Sequence, residues 1–471
     1  MKPPACQREA VLRCRRTQYP LGPAAVAAVL VGLAVGAASP CRAQFYDVLP
    51  FEQAPIDYAH GPVNDPVARL QQRLAKGEAT LERDEGHGYL KAVLRELAVD
   101  ESSQMLVFSK TSFQFRRIAP QRPRAVYFND DVYVGWVAGS DIVELSAVDP
   151  KQGGVFYTLE PDDAGRPVLR RESQCLTCHA SSRSQGVPGH LVRSIYPDAE
   201  GRPTSGSATF NTDHRSPLSQ RWGGWYVTGT HGQARHMGNV LVRRAAFAED
   251  LDTDAGANVT DLSKLFDTRP YLTPDSDIVA LMVMEHQTHL HNLFTRASYE
   301  TRLALHRQTT LDAALGDAGR GQAGGHAPGA LSDSARERLQ RVAHEIVRYM
   351  LFVDETDLRD PVQGTSPFAQ RFQKLGPFDG RGRSLRQLDL QRWLFKYPCS
   401  YLIYSEAFDS LPQPMLDLVY GRLWEVLSGR DRRPPFNLLS TADRRAIVAI
   451  LRDTKPGLPA YWRSEPGESS E

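Results

Sequence analysis

Hydrophobic and polar positions divide the chain into stretches of different period. Residues 44–100 carry two segments of helical spacing, near Pro66–Lys76 and Gly88–Leu97. From Gln104 the texture shifts to short β-branched and aromatic runs: Met105–Phe108, Ser112–Phe115, Ala125–Phe128, Val132–Val137, Ile142–Leu145 and Gly154–Leu159. Polar turn formers separate several of them, at Asn129-Asp130-Asp131, Gly139-Ser140-Asp141 and Lys151-Gln152-Gly153. This pattern predicts a strand–turn meander. Shorter strands are expected near Leu191–Tyr196, Trp225–Thr228 and Asn239–Val242.

The period then becomes helical. Thr273-Pro274 offers an N-cap and an N1 proline, and a helix is expected from there to about Arg307. The Gly- and Ala-rich stretch from Gly316 to Gly329 reads as a flexible loop. Ser334 and Glu337 have capping-box spacing before Leu339, Val342, Ala343, Ile346, Met350 and Val353. Two more helices fit Met415–Leu427, stopped by Gly429, and Ala442–Arg452, stopped by Pro456. The predicted fold class is α+β, with a β-rich middle followed by a mainly helical C-terminal region. The expected organisation is a signal peptide over 1–43, a lead segment over 44–100, a β-rich region over 101–250 and a helical region over 251–471. The last contains a flexible insertion near 308–332.

Composition adds size and neutrality. The chain has 471 residues, 41% of them hydrophobic, with 56 basic against 55 acidic side chains. It can bury substantial cores, and its charge balance gives no basis for nucleic-acid binding.

The N-terminus suggests a compartment. Lys2, Arg8, Arg13, Arg15 and Arg16 precede an apolar run from Ala24 to Ala38, and Cys41-Arg42-Ala43 resembles a small-residue cleavage signal. The run is about 15 residues against the ~20 that a membrane helix needs. The expectation is export to the periplasm with cleavage after Ala43 and no membrane span in the mature chain; an uncleaved signal would leave a membrane anchor. Cys6, Cys14 and Cys41 would leave with the signal, three of the six cysteines in the chain. Cys399, set among aromatic and apolar neighbours, reads as a small buried residue.

The remaining two cysteines form Cys175-Leu176-Thr177-Cys178-His179, the C-x-x-C-H attachment pattern for c-type haem. The thiols are spaced for thioether bonds to the two vinyl groups of one porphyrin. His179 can then bind the iron axially. Two other readings compete. A zinc half-site would need a second cysteine pair, which the chain lacks. A thioredoxin-like dithiol would need a βαβ context and leaves His179 unaccounted for.

The motif resembles that of c-type cytochromes, and the whole chain resembles large bacterial cytochrome c-like proteins with a single such motif. The resemblance implies one covalent haem c, held by Cys175 and Cys178 with His179 as proximal ligand. It also implies that a proline after the motif, here Pro188, orients that histidine through its carbonyl. A methionine further on, here Met237, would be the sixth ligand. The β-rich sequence around the motif departs from the small, all-helical members of that family.

Two regions offer sixth ligands. One is the glycine-broken loop 229–238, with His231, His236 and Met237; its glycines would allow close approach to a porphyrin, and Arg221 and Arg235 could meet the propionates. The other is the helix carrying His286 on an apolar stripe, where a core role competes with ligation. His289 and His291 read as surface residues there. Glu285 and His289, four apart, have the spacing to share a second metal. Asp213-His214-Arg215 reads as a solvated turn before Pro217 in preference to an acid–base cluster. Arg221–Trp225 reads as core or haem-edge packing. The expected function is electron transfer with a redox partner protein. The alternatives are a haem oxidoreductase with an open sixth position, or a haem-based sensor or binding protein.

Overall fold

The computed structural model of the chain describes residues 46–110, 112, 114–242, 251–319 and 331–463. The predicted signal peptide and residues 320–330 of the predicted insertion lie outside these. Residues Phe45–Glu471 form one compact unit.

Its centre is a seven-stranded antiparallel sheet in the order β6-β5-β4-β3-β2-β1-β9. Six consecutive strands make the meander: β1 (Met105–Val107), β2 (Arg124–Phe128), β3 (Val132–Val137), β4 (Val143–Asp149), β5 (Gly153–Pro161) and β6 (Pro167–Arg171). After the short strands β7 (Arg193–Ser194) and β8 (Phe210–Asn211), β9 (Trp225–Tyr226) returns to pair with β1. Strand β6 begins with a proline and has only Val168 and Leu169 before two arginines, too short an apolar run to announce it. The run Ser112–Phe115 gives no strand, since residues 114–117 form a turn; Phe113 is outside the described residues. Asn239–Val242 is irregular.

Both faces of the sheet are covered. Leu106, Tyr127, Val134, Trp136, Leu145 and Tyr157 share a core with Val67, Leu70, Leu90 and Val93. These last four come from α1 (Pro66–Ala75) and α2 (Leu90–Glu96). Asp65 caps α1 through the amides of Val67 and Ala68 and also accepts the Tyr157 hydroxyl at 2.6 Å. The opposite face puts Met105, Val126, Phe128 and Tyr133 against the start of α4.

Helix α4 runs from Ile278 to Gly319. It begins later than Thr273-Pro274 because Gln104 Nε2 donates to the carbonyls of Thr273 and Asp275, at 2.7 and 2.8 Å. Asp277 is the actual cap, accepting from Val279 and Ala280 at 2.8 and 3.2 Å. It continues through 308–319, where a flexible segment was expected.

The remaining helices are α5 (Asp333–Met350), α6 (Phe368–Lys374), α7 (Glu406–Asp409), α8 (Gln413–Leu427) and α9 (Thr441–Thr454). Ser332, not Ser334, caps α5. Helix α4 touches β5 and α5–α8, so it is enclosed on all sides over its first half. His291 is therefore buried at 1% exposure and His289 largely so, which corrects their reading as surface residues. No helix among the described residues is long and apolar enough to cross a membrane.

Candidate cofactor-attachment site

The motif follows β6 as a single helical turn, α3 (Leu176–His179). The amides of Cys178 and His179 both bond the Cys175 carbonyl, at 3.2 and 3.0 Å. Spacings of three and four residues put Cys175, Cys178 and His179 on one side of the turn. Both cysteines are free thiols; Cys175 is half-buried and Cys178 exposed. Burial pushes the Cys175 thiol up to about 12, and the charges of Glu144 and Glu172 add to that.

Strand register fixes what lies beneath. Gly135 pairs with Val126 and Glu144, and Tyr133 with Ser146, which in turn pairs with Phe156. Directly opposed residues share a face. Gly135, Glu144, Ser146, Phe156 and Arg124 therefore lie on the α4 side, where the apolar cover gives way to a polar strip. Arg124 and Glu144 pair at 2.7 Å. The His179 ring packs on Phe156 with centroids 4.7 Å apart.

His179 Nδ1 donates to the Gly189 carbonyl at 2.9 Å, and the Gly189 amide returns a bond to the His179 carbonyl at 2.8 Å. Burial lowers the pKa of the ring, so it is the neutral tautomer with its proton on Nδ1. No hydrogen bond to Nε2 exists among the described residues, so its lone pair is unused. The resemblance assigned the orienting carbonyl to Pro188; the structure gives that role to Gly189, one residue on. The Pro188 carbonyl instead accepts the Gly154 amide at 2.9 Å.

The residues suit a covalent porphyrin with axial iron. Two free thiols and an imidazole nitrogen lie on one side of a turn. On the sheet, Gly135 is buried beneath the Arg124–Glu144 pair, and an added Cβ there would touch both side chains at 3.5 Å.

The structure brings none of the expected sixth ligands to the His179 ring, which bonds the Gly189 carbonyl and packs on Phe156. His231 uses both ring nitrogens: Nδ1 donates to the Ala234 carbonyl at 3.0 Å, and Nε2 accepts the Asn258 amide at 3.0 Å. His236 Nδ1 accepts the Gly238 amide at 3.0 Å, and burial pushes its pKa down to about 3. The Met237 sulfur accepts from Ser194 Oγ at 3.7 Å. His286 bonds His214 through Nδ1 at 2.9 Å and Ser400 through Nε2 at 2.7 Å. The loop glycines are needed for packing: a Cβ at Gly229 would collide with Ile278 and one at Gly232 with Asp360. Neither expected propionate arginine is spare. Arg221 pairs with Glu285 at 3.2 Å and Arg235 with Asp254 at 2.5 Å. Trp222 is fully buried, as core.

Asp213-His214-Arg215 is not a solvated turn. Asp213 and His214 are 6% and 2% exposed. Arg215 bonds Asp213 at 2.7 Å and His289 Nε2 at 3.0 Å, and its guanidinium lies over Tyr349. Burial pushes Glu285 up to about 7 despite the Arg221 charge. Glu285 and His289 are thus committed to protein partners, and no group of three or more metal-ligating side chains occurs among the described residues.

Neither a family model, a curated protein nor a solved structure matches the chain.

Proposed function

We propose that this chain is an exported c-type haem protein that transfers electrons to or from a partner protein. Its one haem is held by Cys175 and Cys178 and ligated by His179. The supporting observation is the state of His179: Nδ1 is fixed on the Gly189 carbonyl, and Nε2 is left as a free, oriented donor beside two free thiols. Such an outer hydrogen bond sets the tautomer and raises the basicity of a ligating imidazole. Exposure of Cys178 supports electron transfer, because a porphyrin edge attached there reaches the surface. A second reading rests on the occupied nitrogens of His231 and His286. With those committed, the iron keeps an open sixth position, and the protein is a haem oxidoreductase or sensor.

Acid–acetone extraction of protein exported with a haem-attachment system is expected to leave the colour on the polypeptide, at one haem per chain. Cys175→Ala with Cys178→Ala should abolish it. Colour in the organic phase, or zinc in place of iron, contradicts the reading. A spectrum of the ferrous protein with and without CO separates the two functions: no change on CO addition supports electron transfer, and a new CO adduct supports the open site.

A further inference from the structure

The carbonyl that orients His179 belongs to a peptide group whose other end is also held. The Gly189 oxygen and the His190 amide are the two ends of one peptide plane. The oxygen accepts from His179 Nδ1 at 2.9 Å; the His190 N–H donates to Asn292 Oδ1 at 2.8 Å. Asn292 Nδ2 then donates to the His190 carbonyl at 2.6 Å, so the side-chain amide grips the backbone as a neighbouring strand would. Asn292 lies on α4 and is 2% exposed. The fit requires glycine at 189, because a Cβ there would collide with the Asn292 amide.

Hydrogen bonds in series through a peptide group polarise one another. A peptide whose N–H is engaged is a better acceptor at its C=O. Asn292 therefore strengthens the pull of Gly189 on the His179 proton, without touching the imidazole.

We infer that Asn292 is the positioning residue of the proximal histidine, setting the orientation and basicity of His179 through the Gly189–His190 peptide. Its effect on the iron rests on the covalent-haem reading. A more basic imidazole stabilises ferric over ferrous iron, so Asn292 holds the reduction potential down.

The test uses the haem-loaded protein, with haem per chain measured first. Asn292→Leu removes both bonds. It is expected to keep one haem per chain, to shift the midpoint potential upward and to speed exchange of the His179 Nδ1 proton, followed by NMR, by about tenfold. Asn292→Asp keeps an acceptor for the His190 amide and should retain the slow exchange. Thr295→Val, one turn along α4, should leave both readings at wild-type values. Should the leucine variant fail to fold, Asn292→Ser carries the same comparison. A loaded variant with unmoved potential and exchange overturns the role of Asn292, as does an equal shift in Thr295→Val. Wild-type protein without covalent haem overturns the underlying reading instead.

Discussion

One carbonyl decides which nitrogen of His179 carries its proton, and one residue of offset decides whose carbonyl it is. The pentapeptide was readable because its chemistry is local: two thiols and an imidazole within five positions. The roles of Gly189 and Asn292 were not readable, because the bond that links them, from the His190 amide to Asn292, joins positions 102 apart in the chain and no residue type signals it. The same logic overturned Asp213-His214-Arg215, where polar identity before a proline suggested solvent but Arg215, His289 and Tyr349 enclose the group. Cys399 went the other way: its apolar surroundings in sequence matched its environment in space. It is fully buried, and burial pushes its thiol up to about 12. If Cys175 and Cys178 form the proposed thioethers and the proposed signal is removed, the folded protein is expected to show no thiol reactive to an aromatic disulfide reagent. In guanidinium it should show one. More than one in the unfolded state would mean that attachment is incomplete.

Among the elements, the strands were legible because β-branched and aromatic runs separated by turn residues have few alternatives. Helix α4 was legible in existence and not in setting. Glu285, Gln287 and Asn292 are residue types that usually face water, yet all three are buried and bonded to protein; His286 is buried as its apolar stripe suggested. Its start was misplaced because Gln104 pins the chain before Ser276. Asp277 then serves two elements, capping α4 and accepting the Ser366 amide at 2.8 Å. Losing a cap typically costs about 1 kcal/mol, and stranding a second buried donor adds a comparable amount. Asp277→Ala is therefore expected to lower stability by about 2–3 kcal/mol in urea denaturation, with Asp277→Asn losing less than half of that. Equal losses would mean that charge, rather than the hydrogen bonds, matters at this position.

Over the whole molecule, buried ionisable groups set the pH range of stability. Burial pushes His236, His289 and His291 down to about 3. Each takes up a proton on unfolding once the pH is below about 6.5, so stability falls with falling pH by roughly 1.4 kcal/mol per unit for each such group. Glu285 and Glu355 act in the other sense. Burial raises them to about 7 and about 8, so they are protonated when folded and release protons on unfolding. Their contribution is lost as pH rises from the ordinary carboxylate range to those values. The histidines outnumber them below pH 6.5, and the acids act alone above it. Urea midpoints should therefore peak near pH 6.5 and fall by comparable amounts toward pH 5 and toward pH 8. A flat profile would mean that these groups are solvated.

The two coverings of the sheet come from opposite ends of the chain order. Helices α1 and α2 precede the strands, whereas α4 follows them and supplies Asn292. A polypeptide threaded through a membrane N-terminus first delivers residues 175–179 well before α4. For a chain exported as proposed, that interval would leave the pentapeptide beside a sheet not yet covered by α4, open to whatever joins a porphyrin to it. Arrival of α4 then shuts the other face and grips Gly189–His190. On the proposed reading, residue order would act as a timetable: cofactor loading would have a window that opens with the motif and closes with Asn292.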